Sequence, residues 1–335
     1  MEMDWKQRRT VTILSTILAI LSAAVLVVLG IRYREHRQAN TDGDGQAAAP
    51  ITQQSDYTAL TYRNGSATLS FALDEEGAWS WTADPDFPLD ESTVTAILAE
   101  LSSIRPQQTL EATETMESYG FTDPGAVLTA TGQNGRELTL VFGKATTDGA
   151  SYYMQMNGDE TTVYIVAGTL YQQLQTPIYD MMELPQLPQL PAERLESVII
   201  QGAESTVLTA IRPEDDTESA PTWRAGGANV TDSDTVQALL DDLAELAFAR
   251  CIDYAPAEEA AEICGLGDTA VLLTVDYLTE SGTEQSLELA IGSPAVTGDG
   301  RYVLLPESSD RSIYLLPTAL LDPLMRIAAN GLDAS

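Results

Sequence analysis

One helical pattern occurs twice in this chain, 142 residues apart, and any fold must accommodate both copies. The first is PLDESTVTAILAELSSI, residues 88–104, and the second NVTDSDTVQALLDDLAEL, residues 229–246. Val94, Ile97, Leu98, Leu101 and Ile104 recur as Val236, Leu239, Leu240, Leu243 and Leu246. Spacing of i, i+3, i+4 and i+7 gathers each set into one stripe along a helix, so both helices are expected to lie on a core. Asp90 and Asp232, at the same offset, are expected to act as N-caps, accepting from free N–H groups of the first turn.

The flanks repeat as well. LTYRNGSATLSFALDEEGAWSWT, with turns at Asn64-Gly65 and Gly77, reads as strand, hairpin, strand and a short third strand. LESVIIQGAESTVLTAIRPEDDTESAPTWRA repeats that order, turning at Gln201-Gly202 and across residues 213–221. Trp79 and Trp223 fall in equivalent short strands. Downstream, strands ending at Gly143 and Gly292 match, as do Tyr164 and Tyr314. The offsets drift only from 142 to 150, as small loop insertions would produce.

Each copy therefore reads as three strands, a helix, about four strands and a closing helix. Antiparallel hairpins in blocks, without βαβ alternation, indicate an α+β fold. The expected architecture is two tandem homologous repeats of antiparallel strands with a packed amphipathic helix, at 57–180 and 194–330. Between them MMELPQLPQLPAE sets prolines at every third position, which suits a stiff polyproline II linker over 181–193.

Residues 10–31, TVTILSTILAILSAAVLVVLGI, carry no charge. A helix needs about 20 such residues to cross a bilayer, and this run is longer than the apolar part of a cleavable signal. It is expected to be an uncleaved transmembrane anchor, with residues 1–9 cytoplasmic. Three basic residues on either side leave the positive-inside rule undecided. An anchor this near the start most simply exports the rest of the chain. Residues 32–56 read as a juxtamembrane linker, small and polar from position 40 onward.

Of 17 basic residues, six precede position 41, as do three of the 50 acidic ones, so 11 basic and 47 acidic residues lie beyond it. That surplus repels nucleic acid and anionic headgroups, so nucleic acid is not an expected partner. Solubility of an exported domain is the simplest use of the acid.

The start KQRRTVTILSTILAIL, then WSWTADPDFPLDESTV, YGFTDPGAVLTATGQNGRELTLVFG and DGASYYMQMNGDETTVYIV together resemble a known family. It comprises bacterial single-pass membrane proteins carrying domain of unknown function 4340. The resemblance covers nearly the whole chain, counting a more diverged second copy with Cys264 in place of Tyr119 and no proline after Asp268. Some family members look like companions of an ABC transport system linked by name to gliding motility. The resemblance thus implies an accessory role at the cell envelope, with membrane and transporter proteins as partners, and supplies no catalytic residues.

The residues themselves offer little chemistry. His36 is the only histidine and lies beside the anchor, which removes Ser-His-Asp and Cys-His arrangements and imidazole metal sites from the folded region. Lys144 is the only lysine beyond the anchor, without the S-x-x-K of a Ser-Lys dyad. No loop is built for a nucleotide phosphate. Asp74, Glu75, Asp84, Asp86, Asp159, Asp215 and Asp299 all sit beside turn residues, where solvated acids are ordinary. No metal, cofactor or catalytic residue is expected. Cys251 and Cys264 could close a short disulfide loop or stand as two separate thiols, and the residues leave both open. The expected role is an extracytoplasmic binding or accessory protein rather than an enzyme. A carboxylate-dependent envelope hydrolase and a purely structural spacer are the alternatives.

Overall fold

The computed structural model describes residues 49–332 except 53, 66, 213–219 and 309–310. The expected anchor 10–31, residues 1–9, His36, most of the juxtamembrane linker and most of the acidic 213–221 turn lie outside the described residues. Among those described, no helix is long and apolar enough to cross a membrane. The chain is mostly antiparallel β-sheet with a few helices, in two compact units.

The first unit contains residues 49–86 and 91–176. Three strands, β1 (Tyr57–Arg63), β2 (Thr68–Leu73) and β3 (Trp79–Trp81), lead to helix α1 (Glu91–Leu101). After it come β4 (Gln108–Glu111), a one-turn helix α2 (Met116–Tyr119), β5 (Ala126–Gly132), β6 (Glu137–Ala145), β7 (Ser151–Met156) and β8 (Thr162–Ala167). The six-residue α3 (Thr169–Leu174) closes the unit. Strand order is β3-β2-β1-β5-β6-β7-β8-β4, antiparallel throughout. The β1–β2 hairpin turns where expected: Gly65 takes a left-handed φ of 84°, and Asn64 Oδ1 accepts from the Ala67 N–H at 3.1 Å.

Alternation along the strands sends Leu60, Tyr62, Phe71, Leu128, Leu140, Phe142 and Met154 to one face. Val94, Ile97, Leu101 and Ile104 are buried too, so the α1 stripe packs as its spacing requires. Each such side chain, taken out of water, stabilises by about 1.5–3 kcal/mol. Tyr62 is buried deeply enough that its phenol is pushed up to about 12.

The second unit contains residues 87–90 and 177–332. Its elements are β9 (Leu195–Gln201), β10 (Ser205–Ile211), β11 (Thr222–Ala225), β12 (Ala228–Asn229) and α4 (Asp234–Ala244). Next come β13 (Arg250–Asp253), α5 (Glu258–Ile263), β14 (Val271–Leu278), β15 (Glu284–Pro294), β16 (Gly300–Leu304), β17 (Ile313–Pro317) and the 13-residue α6 (Thr318–Asn330). Strand order is β12-β11-β10-β9-β14-β15-β16-β17-β13. Apart from the two-residue β12, this is the order of the first sheet.

The registers agree residue by residue. Phe142 pairs with Met154 and Met154 with Tyr164; Ile291 pairs with Val303 and Val303 with Tyr314. Thr109 lies opposite Tyr164 as Cys251 lies opposite Tyr314. Both long strands break register at the same place, after Phe142 and after Ile291. There a glycine is required in each unit. A Cβ on Gly143 would lie 2.1 Å from the Tyr119 carbonyl oxygen, and one on Gly292 would lie 2.3 Å from that of Cys264.

The structure refines two of the sequence expectations. Five strands, not four, come after the main helix, because β4 and β13 return to the far edge of their sheets. The segment 181–193 is built into the second unit: Met181 and Leu190 are fully buried, and short 3₁₀ turns occupy Ile178–Met181 and Ala192–Arg194. Residues 87–90 join that same unit. The Asp90 N–H donates to the Met181 carbonyl at 2.8 Å, and the Glu183 N–H to Pro88 at 2.8 Å. The Phe87 ring stacks on Tyr179 and meets Tyr254 edge-on, with centroids 6.3 and 5.1 Å away.

Candidate functional site

Asp90 immediately precedes α1. The Asp232 expectation needs correction. Helix α4 begins at Asp234, so the N-cap position falls on Ser233, and Asp232 lies in the turn before it. Within that turn Asn229 Oδ1 accepts from the Thr231 N–H at 3.0 Å.

Cys251 and Cys264 are free cysteines, the first buried in β13 and the second half-buried just after α5. Burial, then the Asp253 charge, pushes the Cys264 thiol up, so thiolate chemistry is disfavoured there. The Cys264 carbonyl accepts the Ser293 N–H at 2.8 Å.

Several of the turn acids close their own loops. Asp74 Oδ1 accepts from the Glu76 and Ala78 N–H groups at 2.9 and 2.8 Å. Asp159 and Asp299 are held below the ordinary carboxylate range by the hydroxyls of Thr161 and Thr297. Asp242 goes the other way: burial first, then Glu245, Asp241 and Asp322, raise its carboxyl. Among the described residues, no group of three Cys, Asp or Glu side chains is arranged to hold a metal ion.

Room for a ligand exists in a cleft of the first unit, where the end of α1 and the start of α3 part over the sheet. It encloses about 190 Å³. Phe142, Met154, Val166 and Leu170 form an apolar floor, each no more than 4% exposed. Glu100, Ser103, Arg105 and Thr169 are exposed at its rim. The turn at Ser103–Arg105 is fixed from behind. The Ile104 N–H donates to Thr52 Oγ1 (3.1 Å), and the Ile104 carbonyl accepts from the Ile51 N–H (2.9 Å). These contacts satisfy backbone groups just beyond the helix end.

Helix α3, six residues long, buries Leu170 and Leu174, and the Leu174 carbonyl accepts from Asn64 Nδ2 at 2.9 Å. In the second unit the 13-residue α6 packs along α4, burying Leu321, Leu324, Ile327 and Ala328. No sequence motif marked these rim residues. The signal that could have found them is a difference between copies: the positions 142 residues beyond Glu100, Ser103 and Arg105 are Asp242, Glu245 and Ala247.

A single match to the sequence profile of the domain of unknown function DUF4340 runs over residues 79–263, from β3 of the first unit to the end of α5 in the second. It spans more than half of the chain, which therefore belongs to that family. No curated protein and no solved structure matches.

Proposed function

We propose that this member of the DUF4340 family is a binding protein of the bacterial cell envelope, tethered by residues 10–31 and accessory to an ABC-type transport system. The observation that carries the binding role is the first-unit cleft: a buried apolar floor under a rim bearing one acid, one guanidinium and two hydroxyls. Pockets of that make-up take small molecules, apolar below and oriented by a few polar groups above. The tether rests on the uncharged run at 10–31. The 142-residue spacing and the matched registers support reading the two units as tandem copies.

Two experiments test this role. A phosphatase active only outside the cytoplasm, fused at the C-terminus, is expected to be active; an inactive but intact fusion overturns the placement. The full chain purified in detergent is expected to bring an ABC permease or ATPase with it, identified by mass spectrometry. Repeated purification without either overturns the accessory role.

The enzyme alternative draws on one observation, the raised Asp242 carboxyl with Asp322 from a second helix among its causes. A hydrolase of that kind would cleave cell-wall glycan and lose the activity in Asp242→Asn. The binding role expects no turnover by the unaltered chain.

A further inference from the structure

We infer that the second unit carries a site of its own, for a short aliphatic carboxylate, on the sheet face opposite its main core. A hollow of about 470 Å³ lies there, with Gln201, Leu266, Leu272, Ala290, Leu304 and Arg311 in its lining. Its floor follows from strand register. Gln201 pairs with Leu272, Leu272 with Ala290 and Ala290 with Leu304, so the four form one row across β9, β14, β15 and β16. Alternation turns that row away from Leu273, Leu289 and Val303, which are buried on the other face. At one end Leu266, Ala290, Leu304 and Ile313 make a small buried cluster against Ala260 and Ala261 of α5. From Leu304 to Leu272 is two strand spacings, about 10 Å, enough for a tail of about five carbons.

Arg311 supplies the head. It lies two residues before Ile313, in the connection from β16 to β17, and also lines a neighbouring hollow of about 100 Å³ with Pro256, Ala257 and Ala261. Among the described residues, no hydrogen bond or ion pair engages its guanidinium. A free guanidinium offers a carboxylate two parallel N–H bonds. The backbone here is held in an unusual state as well. Arg311 has a left-handed φ of 52°, and so has Ala255 at 51°, whose N–H donates to Ser312 Oγ at 3.5 Å. The other such non-glycine residue described is Asn157, a type that tolerates this region. Strained backbone of this kind collects at ligand sites.

Asp268 also lines the hollow, exposed in the 267–270 turn, where a solvated acid is ordinary. The acid surplus of the whole chain slows an anion's approach. At physiological salt that field is screened beyond about 8 Å, so contact with Arg311 decides occupancy. The first unit offers no equivalent. Its row runs Arg63, Val127, Val141 and Gln155, with polar side chains at both ends. Gln155 Nε2 is already engaged by the Asp159 carbonyl at 3.0 Å, and the position 150 residues before Arg311 is Thr161.

The test is calorimetric titration of the full chain in detergent with hexanoate, butanoate and 1-hexanol, each against a matched detergent blank. Hexanoate is expected to bind at one saturable site. 1-Hexanol, with the same tail and no charge, should bind at least about 10-fold more weakly, the loss typical of one charge-assisted bond. Butanoate, two methylenes shorter, should also bind about 10-fold more weakly. Arg311→Gln, an exposed change that leaves the core alone, should remove the preference for hexanoate over 1-hexanol, and Arg311→Lys should keep part of it. No saturable hexanoate binding up to about 10 mM overturns the inference. Equal binding of 1-hexanol and hexanoate overturns the carboxylate assignment, and hexanoate binding undiminished in Arg311→Gln overturns the location.

Discussion

The two units share a strand order and a register, yet one ends in a helix of six residues and the other in a helix of 13. The sheet beneath is equivalent: Phe142, Met154 and Val166 in the first unit stand where Ile291, Val303 and Leu316 stand in the second. What differs is the cover. In the second unit the α4 stripe and the buried face of α6 complete a layer over the sheet. In the first a cleft with a mixed-charge rim opens between the end of α1 and the start of α3. The two sheets share one scaffold, while the rim positions Glu100, Ser103 and Arg105 differ from their counterparts Asp242, Glu245 and Ala247.

The sharpest way to break this comparison is the same deletion in both closing helices. Leu324→Ala in α6 (1% exposed) should cost about 4 kcal/mol, because a closed layer cannot collapse around the loss. Leu170→Ala in α3 should cost about 2 kcal/mol, since its wall already opens into the cleft. Chemical denaturation reads both, and equal costs would contradict the difference in cover. Phe87→Ala should remove about 3 kcal/mol from the second unit, although Phe87 sits in sequence between elements of the first. Segment-resolved hydrogen exchange would show loss of protection in β13 and at 178–183.

The matched glycines sharpen the likeness instead. Gly143→Ala and Gly292→Ala should each cost about 2–3 kcal/mol, because each added Cβ meets a carbonyl oxygen of the preceding short-helix segment. Values differing by more than about 1 kcal/mol would mean the two bulges are not the same device.

The smallest effect concerns Asp242. Its folded-state pKa is raised, so the charged carboxylate opposes folding above that pKa. Asp242→Asn should stabilise at pH 7 by no more than about 0.5 kcal/mol, the group being largely solvent-screened. The advantage should shrink as pH falls through the raised pKa and vanish below the ordinary carboxylate value. Thermal melts from pH 7 to pH 3 check the sign.

Much of this architecture was legible in the residues. A buried stripe must repeat every three to four positions, so α1 and α4 announced themselves, and Asn64-Gly65 marked a hairpin because few other pairs tolerate that turn. Pairings made at long range were less readable. Strands β4 and β13 are four residues each, with no buried side chain in the first and one in the second, so nothing local sends them to the far edge beside β8 and β17. The residues 87–90 look like a helix approach and instead pair with 181–183, a choice made by Met181 and the Tyr179 and Tyr254 rings. The N-cap position falls on Ser233 and not Asp232, a one-residue difference that the apolar spacing does not encode. The cleft itself was invisible, since its lining comes from α1, α3 and three strands far apart in the chain. Only the difference between Arg105 and Ala247, 142 residues on, hinted at it.

The central claim, that the face between α1 and α3 of the first unit is open to a small molecule, is tested most directly through the methionine methyl groups. Met154 lies on the cleft floor, whereas Met325 lies in α6 of the second unit. In a ¹³C-methyl-methionine NMR titration of the full chain with isobutanol, a small probe of the apolar floor, the Met154 signal should shift saturably while Met325 stays fixed. A fixed Met154, or a Met325 that moves in its place, would contradict the account.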